Sequence, residues 1–209
     1  MTHETPRLAL GDIRQPSWLP SDPVRVLAFD DVEVLYDGSW PNGSWTFRMR
    51  RRKSYYYRMG VSRFLRDSAY VRPDPLSAVE LALYRPELPL RIYRENRITW
   101  RPHRCRDRED FNQMALANGV DLAQFPSLPV SSVVLVPSPL KVNTGGKRID
   151  AENGKFFSAL ELLWHAYGIQ TSYAELTRPG IGIYRLGLGK GALPSYIIGS
   201  YYEPNFSDE

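Results

Sequence analysis

Arginine and tyrosine side chains are concentrated in one stretch of the sequence, and their chemistry suits a polyanionic ligand. Between Trp45 and Arg66 the chain carries eight Lys or Arg residues and no Asp or Glu. Guanidinium groups bind phosphates through paired hydrogen bonds, and tyrosine rings stack on nucleic-acid bases. We therefore predict a nucleic-acid surface whose cations contact phosphates and whose tyrosines stack on bases: Arg48, Arg50, Arg52, Lys53 and Arg58, with Tyr55 and Tyr57.

The spacing within this stretch indicates β-strands. Trp45, Phe47 and Met49 alternate with polar or basic residues, which is the two-residue period of a strand. Two strands over residues 44–60 would present one aromatic face and one basic face. A sheet with an ordinary solvated cationic face fits the same pattern, so both interpretations stay open.

A second segment, from Pro179 to Gly199, contains six glycines among apolar and aromatic residues. Glycine at this density is typical of backbone that turns with positive φ or that another segment or a ligand approaches closely. It is not a Walker loop, because Tyr184 stands where a glycine is required and Gly191 replaces Ser or Thr. We predict a strand or hairpin that closes the nucleic-acid groove with Arg185 and Lys190, or that fits against a neighbouring strand.

The run from Tyr184 to Gly191, Tyr-Arg-Leu-Gly-Leu-Gly-Lys-Gly, resembles the glycine-rich loop of the repeat-associated RNA-binding proteins of CRISPR complexes. The resemblance implies a ferredoxin-like fold, a loop that touches the RNA backbone, and a place beside other protein subunits in an antiviral assembly. A histidine often serves catalysis in the nucleases of this family. His103 is the residue that the resemblance offers for this role, and no motif carries the role across to it.

Two other functions fit the same sequence. The arginines would also suit an acidic protein partner, as in an immunity or assembly subunit. Asp30, Asp31 and Glu33, with a lysine, would suit a metal-dependent phosphodiesterase, although such an Asp pair after a strand is more often a turn. His165 follows Glu161 by four residues on a predicted helix, and we interpret it as structural. We assign no catalytic residue, no metal ligand and no cofactor.

The composition predicts a globular protein. The 209 residues are 43% hydrophobic, and the net charge of +4 means that the chain outside the Trp45–Arg66 stretch has a net charge of −4. The apolar runs are far shorter than the roughly 20 residues that span a bilayer, so we expect no membrane segment. Cys105 is the one cysteine, and the proline-bearing N-terminal segment lacks the apolar core of a secretory signal. We expect a cytoplasmic setting.

The hydrophobic patterns predict a single α+β domain over residues 24–209, with an antiparallel-rich sheet and about three helices. Residues 1–23 contain four prolines and no period, so we predict an extended N-terminal arm anchored by Trp18. Hairpins are predicted over residues 24–36 and 90–100, and a buried strand over 130–136. Helices are predicted to begin near Asp74, Asp107 and Ser158, the last ending at Gly168.

Overall fold

The computed structural model describes residues 7–18, 23–37, 56–99, 105–137, 146–171 and 179–198. These residues form ten strands and four α-helices, an α+β fold with two mostly antiparallel sheets, which confirms the predicted class. The chain divides into two compact units: unit 1 extends to Leu90, and unit 2 begins at Arg91. This differs from the single domain predicted from residue 24 onward, because each unit builds a five-stranded sheet of its own.

Unit 1 consists of five strands and two helices: β1 (Asp12–Pro16), β2 (Val24–Phe29), β3 (Glu33–Asp37), β4 (Tyr56–Gly60), α1 (Val61–Asp67), β5 (Ser68–Pro73) and α2 (Ala78–Tyr84). Its sheet has the order β4-β3-β2-β1-β5, and all the neighbours are antiparallel. The predicted arm therefore contains an interior strand, β1. Gln15 of β1 pairs with Ala69 of β5, a partner too distant in sequence for a local pattern to reveal.

One face of the unit 1 sheet is covered by α1, a helix that the sequence patterns did not predict. Phe64 of α1 is fully buried against Val24, Val26, Val34 and Tyr36 of the β2–β3 hairpin. Apolar residues alternate along both strands, which confirms the predicted hairpin and places these side chains on one face. The predicted anchor Trp18 also packs on this cluster, with its ring centroid 6.4 Å from that of Phe64.

The other face of β2 carries Arg25, which attaches α2 to the sheet. Its guanidinium donates to Glu80 Oε1 at 2.7 Å and to the backbone oxygens of Asp74 and Pro75. The helix begins at Ala78 with a Ser77–Glu80 capping box, so the predicted start near Asp74 is wrong. Asp74 and Pro75 instead present their carbonyl oxygens to the buried arginine.

Unit 2 consists of five strands, two α-helices and two short 3₁₀ turns: β6 (Arg91–Thr99), α3 (Arg108–Ala117), Leu122–Gln124, β7 (Ser132–Val136), β8 (Lys147–Asp150), α4 (Ala159–Thr171), β9 (Pro179–Leu188), Lys190–Ala192 and β10 (Pro194–Ile198). The sheet order is β6-β9-β10-β7-β8, with one parallel pair, β10–β7. The first six of these helices and strands follow the βαββαβ order of a ferredoxin-like domain. That fold is not confirmed, because the sheet contains a fifth strand, β10, and its order places β6 and β8 at opposite edges instead of side by side in the centre.

Several predicted boundaries in unit 2 change. Residues 91–99 form one strand instead of a hairpin, with register shifts on both sides of Glu95. The helix predicted to end at Gly168 continues to Thr171. Phe111 of α3 packs against Trp164 and Tyr167 of α4, with ring centroids 5.8 and 5.2 Å apart, and this contact holds the two helices together. Among the described residues, no helix is long and apolar enough to cross a membrane.

Candidate functional site

Most of the predicted nucleic-acid residues belong to the connection between β3 and β4 or to the start of β4. Asp37, the last residue of β3, pairs with Tyr56, the first residue of β4, so this connection leaves and rejoins the sheet at one end of two adjacent strands. For Tyr57 and Arg58 the structure describes the backbone, which lies in β4. The other predicted contact residues of this stretch lie outside the described residues: Arg48, Arg50, Arg52, Lys53 and Tyr55.

Asp67 reduces the charge of the Trp45–Arg66 stretch at its C-terminal end. Its carboxylate lies 2.9 Å from Arg66 Nε and 3.6 Å from Arg63 Nε. The hydrogen bond from Arg66 lowers the pKa of Asp67. These two arginines therefore contact an acid. The remaining six cations lie between Arg48 and Arg58, and we call this part of the chain the basic segment.

The glycine-rich segment forms the β9–β10 hairpin, and Arg185 of β9 is buried within it at 1% exposure. Its Nε donates to the Gly187 carbonyl oxygen at 3.2 Å, and its guanidinium lies 5.5 Å from the ring centroid of Tyr196. The structure describes the backbone of Lys190, in the turn between the strands. Arg185 thus supports the hairpin from inside, whereas the sequence placed it on a ligand surface.

The glycines of β9 make close approaches to the protein's own side chains. A Cβ added at Gly189 would lie 2.9 Å from Val134 Cβ of β7, and one at Gly182 would overlap the ring of Tyr184. Gly187 has a φ of +99° beside the register shift of the β9–β10 pair. Fit to neighbouring side chains therefore accounts for Gly182 and Gly189, and the positive φ accounts for Gly187.

Asp30, one of the residues weighed for a phosphodiesterase, closes the turn between β2 and β3. Its Oδ1 accepts hydrogen bonds from the backbone N–H groups of Val32 and Glu33, at 2.8 and 2.6 Å. The Glu33 side chain is fully buried. Asp30 therefore has the turn role typical of aspartate in such loops. His103 lies outside the described residues.

A different cluster of metal-ligating side chains is found in unit 2. Glu152, Glu161 and His165 each place one ligand atom within 4.8 Å of those of the other two. Glu161 and His165 are four residues apart on α4, so they lie on one face of that helix. Glu152 comes from the loop after β8 and is joined to the helix by its backbone N–H, which donates to Glu161 Oε1 at 2.7 Å.

The electrostatic surroundings of this cluster are mixed. Arg108 of α3 forms a two-bond contact with the exposed Glu152 carboxylate, which lowers the pKa of Glu152. Burial lowers the pKa of the half-buried His165, while the nearby Glu161 opposes that shift. The neutral imidazole is therefore favoured at neutral pH, and one of its ring nitrogens lies within 4.8 Å of a ligand atom of each of the two carboxylates.

The sequence indicated two of the three members of this cluster, since Glu161 and His165 are four residues apart on the predicted helix. Ser158, where that helix was predicted to begin, does cap it, because Ser158 Oγ accepts from the Glu161 N–H at 3.2 Å. The Glu161 carboxylate turns towards Glu152. Glu152 could not be predicted because it precedes the helix by seven residues in a loop whose path depends on β8.

Comparisons of the chain with protein-family models, with curated proteins and with solved structures found no match.

Proposed function

We propose that this chain binds nucleic acid, preferentially RNA, through the basic segment, as one subunit of a larger assembly. The observation that carries the proposal is the segregation of charge: six cations lie between Arg48 and Arg58 with no acid among them, in a chain whose remainder is net acidic. An unbroken cluster of like charge repels itself unless an anion neutralises it. A phosphate backbone is the ligand whose charge density matches such a segment.

Arginines elsewhere in the described structure support this proposal by contrast. Several of them lie beside acids of the same unit, as in the pairs Arg25–Glu80, Arg106–Asp110 and Arg148–Asp150. Arg63 and Arg66 share Asp67 in the same way. The sequence of the basic segment contains no such local acid, as the proposal expects of a segment that binds phosphates.

The roles of the individual residues follow from their chemistry. Arginines 48, 50, 52 and 58 and Lys53 contact phosphates, and Tyr55 and Tyr57 stack on bases. Lys190 contributes a further cation from the turn of the β9–β10 hairpin. We assign Arg185 a supporting role, because its buried guanidinium holds the hairpin instead of facing a ligand.

Salt dependence of binding tests this proposal. We expect the affinity for a single-stranded RNA oligonucleotide, measured by fluorescence anisotropy, to fall with salt at a log–log slope of about −4, since each of the six proposed phosphate contacts contributes roughly −0.7. Charge reversal of Arg50 and Arg52 to Glu should weaken binding at least about tenfold and flatten the slope. The same single-stranded sequence as DNA should bind more weakly.

Arg106→Glu together with Arg148→Glu is the matched control, because it reverses two exposed arginines that already pair with acids. This control should bind RNA within about twofold of the unchanged chain. Binding that ignores salt, or that survives reversal of Arg50 and Arg52, would show the proposal to be wrong. Copurification of an acidic protein without nucleic acid would favour the protein-partner alternative.

A further inference from the structure

We propose that Glu152, Glu161 and His165 of unit 2 bind a divalent first-row transition-metal ion, for which Zn²⁺ is the simplest probe. Each of the three offers a ligand atom, and all three atoms lie within 4.8 Å of one another. The site is separate from the basic segment, and the proposal stands or falls independently of nucleic-acid binding.

The donor set indicates the class of ion. One imidazole nitrogen and two carboxylate oxygens suit zinc and its neighbours, whereas magnesium and calcium prefer oxygen ligands alone. Three protein ligands leave at least one coordination position for water or for an anion from solution. This is the arrangement of open zinc sites, in contrast to structural sites that are closed by four protein ligands.

Two of the ligands are prepositioned by α4. Glu161 and His165 lie one helical turn apart, and the residues between and beside them, Leu162, Leu163 and Ala166, are fully buried and hold the helix in place. A pair at this spacing needs no loop rearrangement to face one ion. The helix thus supplies a rigid two-ligand base to which Glu152 adds the third ligand.

The hydrogen bonding of these two side chains leaves room for an ion. Glu161 is 5% exposed, yet among the described residues its carboxylate accepts one hydrogen bond, from the Glu152 N–H to Oε1. The half-buried His165 ring has no hydrogen-bond partner within the described ranges of the chain. Buried polar groups normally have partners. A metal ion would supply a further partner to the Glu161 carboxylate and a partner to the His165 ring at once.

Metal binding requires a small local change. Zinc–ligand distances of about 2.0–2.2 Å place neighbouring ligand atoms roughly 3.4 Å apart, so the three atoms must move closer together. Glu152 is the ligand able to move, because its side chain is 57% exposed. Its carboxylate currently contacts Arg108, which therefore competes with the ion for the third ligand.

Calorimetric titration of the untagged, chelator-treated full chain with Zn²⁺ tests the proposal. We expect one ion per chain, and His165→Ala and Glu161→Gln should each weaken binding more than about 100-fold, beyond the 10- to 100-fold effect of losing an outer-shell partner. Co²⁺ should give a visible absorption band that Zn²⁺ removes and that His165→Ala abolishes. Millimolar Mg²⁺ should not displace either ion.

Matched variants separate this site from other zinc-binding side chains. Cys105→Ala and His103→Ala should retain full binding, and Glu109→Gln, an exposed acid of α3, should do the same. Arg108→Gln should tighten binding by up to about fivefold, since it removes the competitor of the third ligand. Circular dichroism should show that each variant keeps its helices.

Several results would overturn the proposal. They are the absence of stoichiometric Zn²⁺ binding by the folded chain, binding that persists in both His165→Ala and Glu161→Gln, and loss of binding in Cys105→Ala or His103→Ala instead. Weaker binding in Arg108→Gln would also contradict it, because the arginine would then support the site instead of competing for Glu152.

Discussion

Unit 1 and unit 2 each contain a cluster built around a buried charged side chain, and the two clusters differ in how fully the bonding capacity of that side chain is used. In unit 1 the buried group is Arg25, whose three nitrogens all donate to oxygens of Asp74, Pro75 or Glu80. In unit 2 the buried group is Glu161, whose carboxylate accepts one hydrogen bond in the described structure, from the backbone N–H of Glu152. Every nitrogen of the Arg25 guanidinium therefore donates a hydrogen bond, whereas the Glu161 carboxylate can accept further bonds.

This difference separates a structural cluster from a candidate ligand site. A buried guanidinium whose donors are all satisfied holds secondary structure in place, and removing it leaves a carboxylate and carbonyls without their partner. A buried carboxylate beside an imidazole, with bonding positions to spare, is suited to an ion from solution. We therefore expect mutations in the unit 1 cluster to affect folding and mutations in the unit 2 cluster to affect metal binding.

The largest effect on stability should come from Arg25→Met. It breaks a partly buried ion pair, removes the cation beside Glu80 and leaves the backbone carbonyls of Asp74 and Pro75 without their donor, at a cost of about 3 kcal/mol in the free energy of unfolding of unit 1. Hydrogen exchange of the β2 amides measures this loss. The control is Arg85→Met, whose ion pair with Glu87 is more exposed and should contribute less than about 1 kcal/mol. Equal losses in the two variants would mean that the Arg25–Glu80 pair contributes no more to stability than an exposed ion pair.

The next largest effect should be a pH dependence. The hydrogen bond from Arg25 lowers the pKa of Glu80 from 4.5 to about 2. Between these values the unfolded chain binds more protons than the folded chain, so the stabilisation is complete above pH 4.5 and is lost as the pH falls towards 2. Because the Glu80 side chain is 29% exposed, we expect about 2 kcal/mol, less than the roughly 3 kcal/mol that the full shift represents.

Comparison of the unchanged chain with Glu80→Gln measures this contribution. The difference in unfolding free energy should be greatest near neutral pH and should vanish only below pH 2, where the carboxyl group is protonated in both states. Asp121→Asn, in an exposed turn of unit 2, is the control and should show no comparable dependence in the unit 1 amides. A difference that stays constant with pH would mean that Glu80 stabilises unit 1 without its charge.

The smallest effect on stability should come from Glu161→Gln in the metal-free chain. Its amide oxygen can still accept the Glu152 N–H, so we expect a loss of less than about 1 kcal/mol, measured by hydrogen exchange of the β10 amides. A loss as large as that of Arg25→Met would place Glu161 among the structural charges. The unit 2 cluster would then be structural, like the unit 1 cluster.

Much of the secondary structure could be predicted because it depends on neighbours in sequence. The β2–β3 hairpin follows from alternating apolar residues around an aspartate turn, and β7 from an uninterrupted β-branched run. α3 begins at the predicted cap, where Asp107 accepts from the Asp110 N–H. Each of these patterns is complete within about a dozen residues.

The predicted nucleic-acid surface also came from the sequence. Its cations are neighbours along the chain, so folding is not needed to bring them together. Arg185 shows the limit of that approach. Its position between apolar residues on a strand indicates neither its burial nor its contact with Tyr196 of the paired strand. Whether a cation is a ligand contact or a core residue is decided by the strand that pairs with it.

What the sequence by itself determined is the α+β class, the position of the basic segment, and the helices and strands with strong local patterns. Tertiary structure alone decided that β1 is an interior strand, that Arg25 binds α2, and that Glu152 joins Glu161 and His165. Each of these depends on residues brought together from different parts of the chain. Local periodicity records which face of a segment is buried, and it does not record which distant segment covers that face.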